Sequence, residues 1–122
     1  MTTTDTTTSV GERFVRAIAA RDFDAATALL DPQVDFRALT PSRFWTADAP
    51  AAVGDILNQW FEPGDAIDEL LGVQTDEVSD CSRVAYRLGV SNEDGPFVVE
   101  QQAYYEAHNG AISWIRMLCS GW

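Results

Sequence analysis

The second half of the chain contains four segments with the composition of β-strands, and this run limits the possible folds more than any other feature. The segments cover residues 67–78, 83–90, 97–107 and 112–119. The sequences SNEDGP and HNG separate the last three, and both are rich in residues that form tight turns. Strands joined in this way pair antiparallel with their neighbours in sequence, so we predict a meander.

The first half of the chain predicts three helices. Ser9 followed by Glu12 fits a capping box at the start of the first helix. A second helix is predicted from Phe23, ended by Asp31-Pro32. A third begins at Pro50 and has apolar residues at helical spacing. These residues are Val53, Ile56, Leu57 and Trp60.

The order of these elements predicts an α+β domain. Residues 34–40 (VDFRALT) favour one more strand before the third helix. Helices that precede a meander indicate a curved sheet wrapped around a helical layer. A chain of 122 residues suffices for one such domain with a ligand-sized cavity. We therefore expect a single domain over residues 9–122, preceded by a disordered tail over residues 1–8 without the features of a signal peptide.

Composition excludes several classes of function. The net charge is -11, so the average surface repels nucleic acids and anionic membranes. With 46% hydrophobic residues the chain is too apolar for disorder, yet it has no apolar run of the roughly 20 residues that span a bilayer. Cys81 and Cys119 form no CxxC pair, and no zinc-type ligand spacing occurs. We expect reduced thiols, a cytoplasmic location, and neither metal nor cofactor.

The strand VVEQQAYYEAH has polar residues on both of its faces. Side chains alternate along a strand, so Glu100 and Gln102 share one face while Gln101 shares the other with Tyr105. On the preceding strand, Val84, Tyr86, Leu88 and Val90 form an apolar set, which predicts the concave face of the sheet. On the last strand, Ile115, Met117 and Cys119 share one face.

Two sequence motifs and the order of the helices and strands resemble those of the nuclear transport factor 2-like superfamily. The first is Phe23-Asp24-Ala25-Ala26 leading to Leu29-Leu30-Asp31-Pro32, and the second is Tyr105-x4-Gly110-x-Ile112-x3-Arg116. Within that superfamily, the chain from about Ser9 to its end is similar to the bacterial SnoaL-like proteins. The resemblance implies a cone-shaped, antiparallel or mixed sheet that encloses a pocket closed by three helices.

The resemblance also implies a set of pocket residues. Ketosteroid isomerase, which shares this fold, carries an oxyanion-binding acid eight residues before the turn glycine, a count that reaches Gln102 here. Glu100, Gln102 and Tyr104 are then expected to point into the pocket beside Tyr86. The general base of that enzyme corresponds to Phe36, and the acidic base of SnoaL-like cyclases corresponds to Cys119 and Ser120. Both known catalytic sets are therefore missing.

Candidate chemistry centres on Glu100. If it were desolvated between apolar neighbours, it would serve as a general acid or base near neutral pH; alternatively it is only structurally paired. Gln102, Tyr86 and Tyr104 would polarise a carbonyl group, or would merely satisfy one another. Because the only histidine, His108, lies in the HNG turn, Cys119 is expected to be a wall residue rather than a nucleophile. Expected substrate-binding residues are Phe36, Trp45, Trp60, Ile115, Met117 and Cys119.

Three functions remain open from the sequence, of which the third, a macromolecular adaptor, rests only on the resemblance in fold. The first is a cofactor-independent, SnoaL-like enzyme acting by acid/base chemistry on a small apolar metabolite with a carbonyl or epoxide group. The second is a non-catalytic, ligand-binding or accessory dimeric protein. Arginine and aromatic side chains on the convex face predict a homodimer, unless they are solvated surface pairs. This set is Arg83, Arg87, Tyr105, Trp114 and Arg116.

Overall fold

The structure is a computed structural model that describes residues 9–41, 43–61, 64–78 and 81–120. The predicted tail over residues 1–8 lies outside these ranges. The helices are α1 (Val10–Ala19), α2 (Phe23–Thr27) and α3 (Pro50–Trp60). The strands are β1 (Leu30–Thr40), β2 (Arg43–Ala47), β3 (Ala66–Val78), β4 (Cys81–Asn92), β5 (Gly95–His108) and β6 (Ala111–Ser120).

The six strands form one curved, mixed sheet in the order β2-β1-β6-β5-β4-β3. All neighbours pair antiparallel except β1 and β6, which are parallel. Strands β2 and β3 are the two edges, so the sheet is open. The predicted α+β class and the meander from β3 to β6 are confirmed. We call the face that packs against the helices the inner face, and the opposite one the outer face.

Helix α1 begins as its sequence predicts and docks on the sheet through a glycine. Ser9 Oγ accepts a hydrogen bond of 3.0 Å from the Glu12 N–H, which confirms the predicted cap. The Gly11 N–H donates to the hydroxyl group of Tyr105 over 3.2 Å. A Cβ atom at position 11 would overlap the Tyr105 ring, so only glycine permits this approach. Phe14, Val15 and Ile18 are then buried.

The region after α2 differs from the prediction. The second helix ends at Thr27, and Leu30 is already the first residue of β1. Its strand conformation arises from pairing with β6, where the Ile112 N–H donates to the Leu29 carbonyl over 2.8 Å. Pro32 is tolerated because the register of β1 against β6 shifts between Leu30 and Asp35. Strand β2, a hairpin partner of β1, was not predicted.

Helix α3 and the last hairpin follow the sequence signals closely. Pro50 opens α3, and the predicted apolar face is buried. At the HNG turn, Asn109 and Gly110 both have positive φ, 55° and 81°, the backbone that a two-residue hairpin favours. In the described part of the chain, no helix has the length and apolarity needed to cross a bilayer.

Candidate functional site

The face of strand β5 that packs against the helices is the opposite of the predicted one. Val99, Gln101, Ala103 and Tyr105 are buried on the inner face, whereas the Glu100 side chain is 53% exposed. Gln102 and Tyr104 alternate with Glu100 onto the outer face and are half-buried. The prediction that Glu100, Gln102 and Tyr104 point inward is therefore wrong, and only Tyr86 of the four candidate catalytic residues lies on the inner face.

The error has two physical causes. Cross-strand partners share a face, and the apolar set of β4 pairs with Val99, Gln101 and Ala103 of β5, so the count back from Gly110 to Gln102 lands on the wrong face. In addition, burying a carboxylate is expensive unless a partner compensates for its lost hydration. On the outer face Glu100 instead forms an ion pair of 2.8 Å with Arg87, its cross-strand neighbour.

The inner face carries a row of three polar side chains, Tyr86, Gln101 and Cys119, which we call the inner polar row. The residues are direct neighbours across β4, β5 and β6. The Tyr86 hydroxyl group donates to Gln101 Oε1, and Gln101 Nε2 donates to Cys119 Sγ over 3.0 Å. Tyr86 and Gln101 are 3% and 1% exposed, so the three groups satisfy one another away from water.

The two titratable groups of the inner polar row stay neutral near pH 7. Burial raises the pKa of Tyr86 well above its usual value, and the nearby Cys119 adds to the effect. Burial also raises the pKa of the Cys119 thiol to about 12, against a smaller opposing effect of the Gln101 hydrogen bond. A thiol with so high a pKa is a poor nucleophile.

The expected substrate-binding residues are brought together, but as packed core. Phe36 and Trp60 have ring centroids 6.3 Å apart, and Trp45 meets Trp60 edge-on at 6.0 Å. Phe36, Trp60, Ile115, Met117 and Cys119 are all buried, and Trp45 is half-buried. Phe44, next to Trp45 on β2, does not join this group and is 57% exposed.

The outer face carries an open cleft of about 790 Å³ across β3, β4, β5 and β6. Gly72 and Ala85 form its floor, because positions with little or no side chain leave space above the sheet. Residues of the inner polar row also border the cleft, although their side chains point to the other face. The outer-face residues of this outer cleft are Leu71, Gly72, Gln74, Arg83, Ala85, Arg87, Glu100, Gln102 and Leu118.

The walls of the outer cleft combine arginines with leucines. Arg83 donates through Nε to Gln102 Oε1 over 3.3 Å and through a terminal nitrogen to Asp76 over 2.8 Å. Arg87 donates through Nε to Glu100 over 2.8 Å. These contacts fix the directions of the two guanidinium groups. Leu71 and Leu118 contribute apolar walls and are 48% and 44% exposed.

Beside the cleft, three large apolar side chains form an outer apolar row. Phe44, Leu39 and Leu118 are cross-strand neighbours on β2, β1 and β6. The predicted dimer set is mostly on this face: Arg83 and Arg87 line the cleft, and Arg116 stacks on Trp114 at 4.4 Å. Tyr105 is the exception, since it is buried on the inner face against Gly11. Its placement in the predicted convex patch is wrong.

The sequence analysis missed Gln101 and the floor of the outer cleft. Gln101 shares its strand face with Val99, Ala103 and Tyr105, and this more apolar set was the available signal. The cleft floor depends on which residues of β3 and β4 become neighbours, and β3 contains two register shifts. Among the described residues, no group of three histidine, cysteine, aspartate or glutamate side chains is arranged to hold a metal ion.

At the sequence level, the chain is similar to part of a much longer protein. No family model matches the chain. A Komagataella phaffii protein assigned as an adhesin is 32% identical over 107 residues, covering 77% of this chain but 17% of that protein. The chain thus spans about a sixth of the length of this curated relative.

Solved structures match over almost the whole domain. A Bacillus subtilis protein assigned as an isomerase superposes with a TM-score of 0.75 over 90% of this chain and 83% of its own, at 13% identity. An LEH-like epoxide hydrolase of M. tuberculosis gives 0.65 over 90% and 79%, at 12% identity. Proteins described as polyketide cyclase and ketosteroid isomerase-like also match. The chain has the SnoaL-like, nuclear transport factor 2-like fold, as the sequence resemblance implied.

Proposed function

We propose that this SnoaL-like fold serves to bind a small ligand without transforming it, as a dimeric accessory protein. The observation that carries the proposal is the state of the inner face. Its polar groups are neutral and hydrogen-bonded to one another, and among the described residues no buried side chain is a carboxylate or a histidine. The groups that most often transfer protons in enzymes are therefore absent from the described core.

The alternative, acid/base catalysis, has less support from the geometry. Its central residue, Glu100, is half-exposed and paired with Arg87 rather than desolvated in a pocket. The structural neighbours are isomerases, cyclases and an epoxide hydrolase, but their identity to this chain is low and one fold hosts many functions. These neighbours support a fold that accommodates small molecules. The activity of this chain has to be argued from the residues of its own site.

The partner in this proposal is a second copy of the chain. The outer apolar row exposes three large side chains next to one another, and Trp114 and Arg116 lie on the same face. Aromatic and arginine side chains around an apolar centre are typical of the residues that dominate binding energy at interfaces. We propose that the dimer contact lies over β2, β1 and β6, centred on Leu39, and leaves the cleft-facing side of Leu118 open to the ligand.

Native mass spectrometry of the protein purified from a producing cell tests the ligand-binding function. We expect a retained small molecule, which is then identified and incubated with fresh protein while its mass is followed by chromatography and mass spectrometry. Recovery of the unchanged compound is the expected result. Formation of a product that is lost in Glu100→Gln, but not in the exposed control Glu69→Gln, would restore the enzyme interpretation.

A further inference from the structure

We infer that the outer cleft is the ligand site and that it takes a small amphipathic anion, with an apolar ring body and one carboxylate- or sulfonate-type group. This inference rests on the proposed binding function and adds a place and a ligand class to it. The cleft lies on the face opposite to the inner core, which is filled by aromatic and aliphatic side chains.

The shape of the cleft suits a compact ring system. Its volume of about 790 Å³ lies within the range of roughly 300–1,000 Å³ that is usual for small-molecule sites. The space arises at neighbouring positions of β3 and β4, where Gly72 has no Cβ and a Cβ added there would meet nothing within 4 Å. Ala85 lies between Arg83 and Arg87 on β4, so a flat ligand can rest on the sheet between two guanidinium groups.

The walls provide contacts for both parts of an amphipathic ligand. Leu71 on β3 and Leu118 on β6 lie on opposite sides of the floor and remain nearly half exposed, so a ring placed between them buries apolar surface that water now covers. Each guanidinium group has five N–H donors. The bonds described above use two from Arg83 and one from Arg87, which leaves donors that can reach an oxyanion in the cleft.

Guanidinium donors held in fixed directions explain why an anion would bind here rather than elsewhere on the molecule. The chain carries a net charge of -11, so most of its surface repels anions. All eight basic residues are arginines, and four of them, Arg37, Arg83, Arg87 and Arg116, lie on the outer face of the sheet. Two of these, Arg83 and Arg87, line the cleft. Each is ion-paired with a carboxylate, Asp76 or Glu100, so an anion would bind to the N–H donors that these pairs leave open. Charge-assisted hydrogen bonds from such fixed donors are the strongest available to an oxyanion.

The experiment uses two fluorescent probes that differ by one group. They are 8-anilinonaphthalene-1-sulfonate and its uncharged analogue N-phenyl-1-naphthylamine, each titrated into the folded full chain. We expect one sulfonate probe per chain, bound about tenfold or more tightly than the analogue, since tenfold corresponds to one modest charge-assisted contact. Ala85→Trp, which fills the floor, should weaken the sulfonate probe at least about tenfold, whereas Val98→Trp, on the same face but outside the cleft, should change it less than about twofold.

A second pair of variants tests the charge without changing the shape. Arg83→Gln combined with Arg87→Gln should reduce the affinity for the sulfonate probe to that for the uncharged analogue, and Arg37→Gln, outside the cleft, should not. Circular dichroism confirms that each variant is folded. Unchanged binding to Ala85→Trp, equal affinity for the two probes, or no binding of either probe would each overturn the inference. A ligand retained by both wild type and Ala85→Trp would refute the outer cleft while leaving the proposed binding function intact.

Discussion

Replacing Tyr86 with phenylalanine removes a single oxygen atom from the inner polar row. The lost hydroxyl group is the donor to Gln101 Oε1, and both side chains are at most 3% exposed, so water cannot take its place without opening the core. A hydrogen bond contributes about 1 kcal/mol net to the free energy of unfolding. A buried acceptor that loses its donor instead costs its full desolvation penalty of about 1–3 kcal/mol. We expect Tyr86→Phe to lower the free energy of unfolding by about 2 kcal/mol.

Urea unfolding at pH 7, followed by circular dichroism and tryptophan fluorescence, measures this change. The m-value should stay constant, which would show that the native fold is intact. Combining Tyr86→Phe with Gln101→Leu removes donor and acceptor together, so the double variant should lose less stability than the two single variants combined. Tyr104→Phe, on the outer face, is the control and should change stability by less than about 0.5 kcal/mol. A neutral Tyr86→Phe, or strict additivity in the double variant, would refute a buried polar row.

Two further predictions concern pH and assembly. Burial raises the pKa of Cys119 from 9.0 to about 12, so between these values the folded chain keeps a proton that the unfolded chain loses. The free energy of unfolding should therefore fall as pH rises from about 9 to 12, by up to about 1.4 kcal/mol per pH unit. The slope should be smaller in Cys119→Ala. An unchanged slope in this variant would contradict a raised pKa of Cys119. Leu39→Glu, at the centre of the outer apolar row, should convert a dimer to a monomer in light scattering, whereas Asn58→Glu on the exposed side of α3 should not. A monomeric wild type would exclude the dimer.

Much of the fold was predictable because its signals are local. The capping box at Ser9, the apolar period of α3 and the HNG turn each act within a few residues, and each appears in the structure where the sequence places it. The limits of α2 and β1 were less predictable. The strand state of Leu30 depends on pairing with Ile112, which lies far along the chain.

The site was harder to predict because it depends on which alternate residues of each strand face the helices. The pairing of β5 with β4 sets which face of β5 is buried, because Gln101 rather than Gln102 lies opposite Tyr86, and it thereby sets the roles of Glu100 and Gln101. Local sequence distinguishes the two faces of β5 only weakly, since both contain polar residues and the set around Gln101 is only the more apolar of the two. The predicted aromatic residues still cluster, because the apolar pattern of β1, α3 and β6 specifies their faces without reference to β5.

The position of a bound ligand tests the central claim most directly. A crystal structure of the full chain with 8-anilinonaphthalene-1-sulfonate would show whether the outer face or the inner face of the sheet receives it. We expect the naphthalene ring above Gly72 and Ala85, with the sulfonate within hydrogen-bonding distance of Arg83 or Arg87 and the inner polar row unchanged. A probe bound between Trp60 and Tyr86, with Gln101 turned towards it, would contradict the outer site and return the function to the inner face.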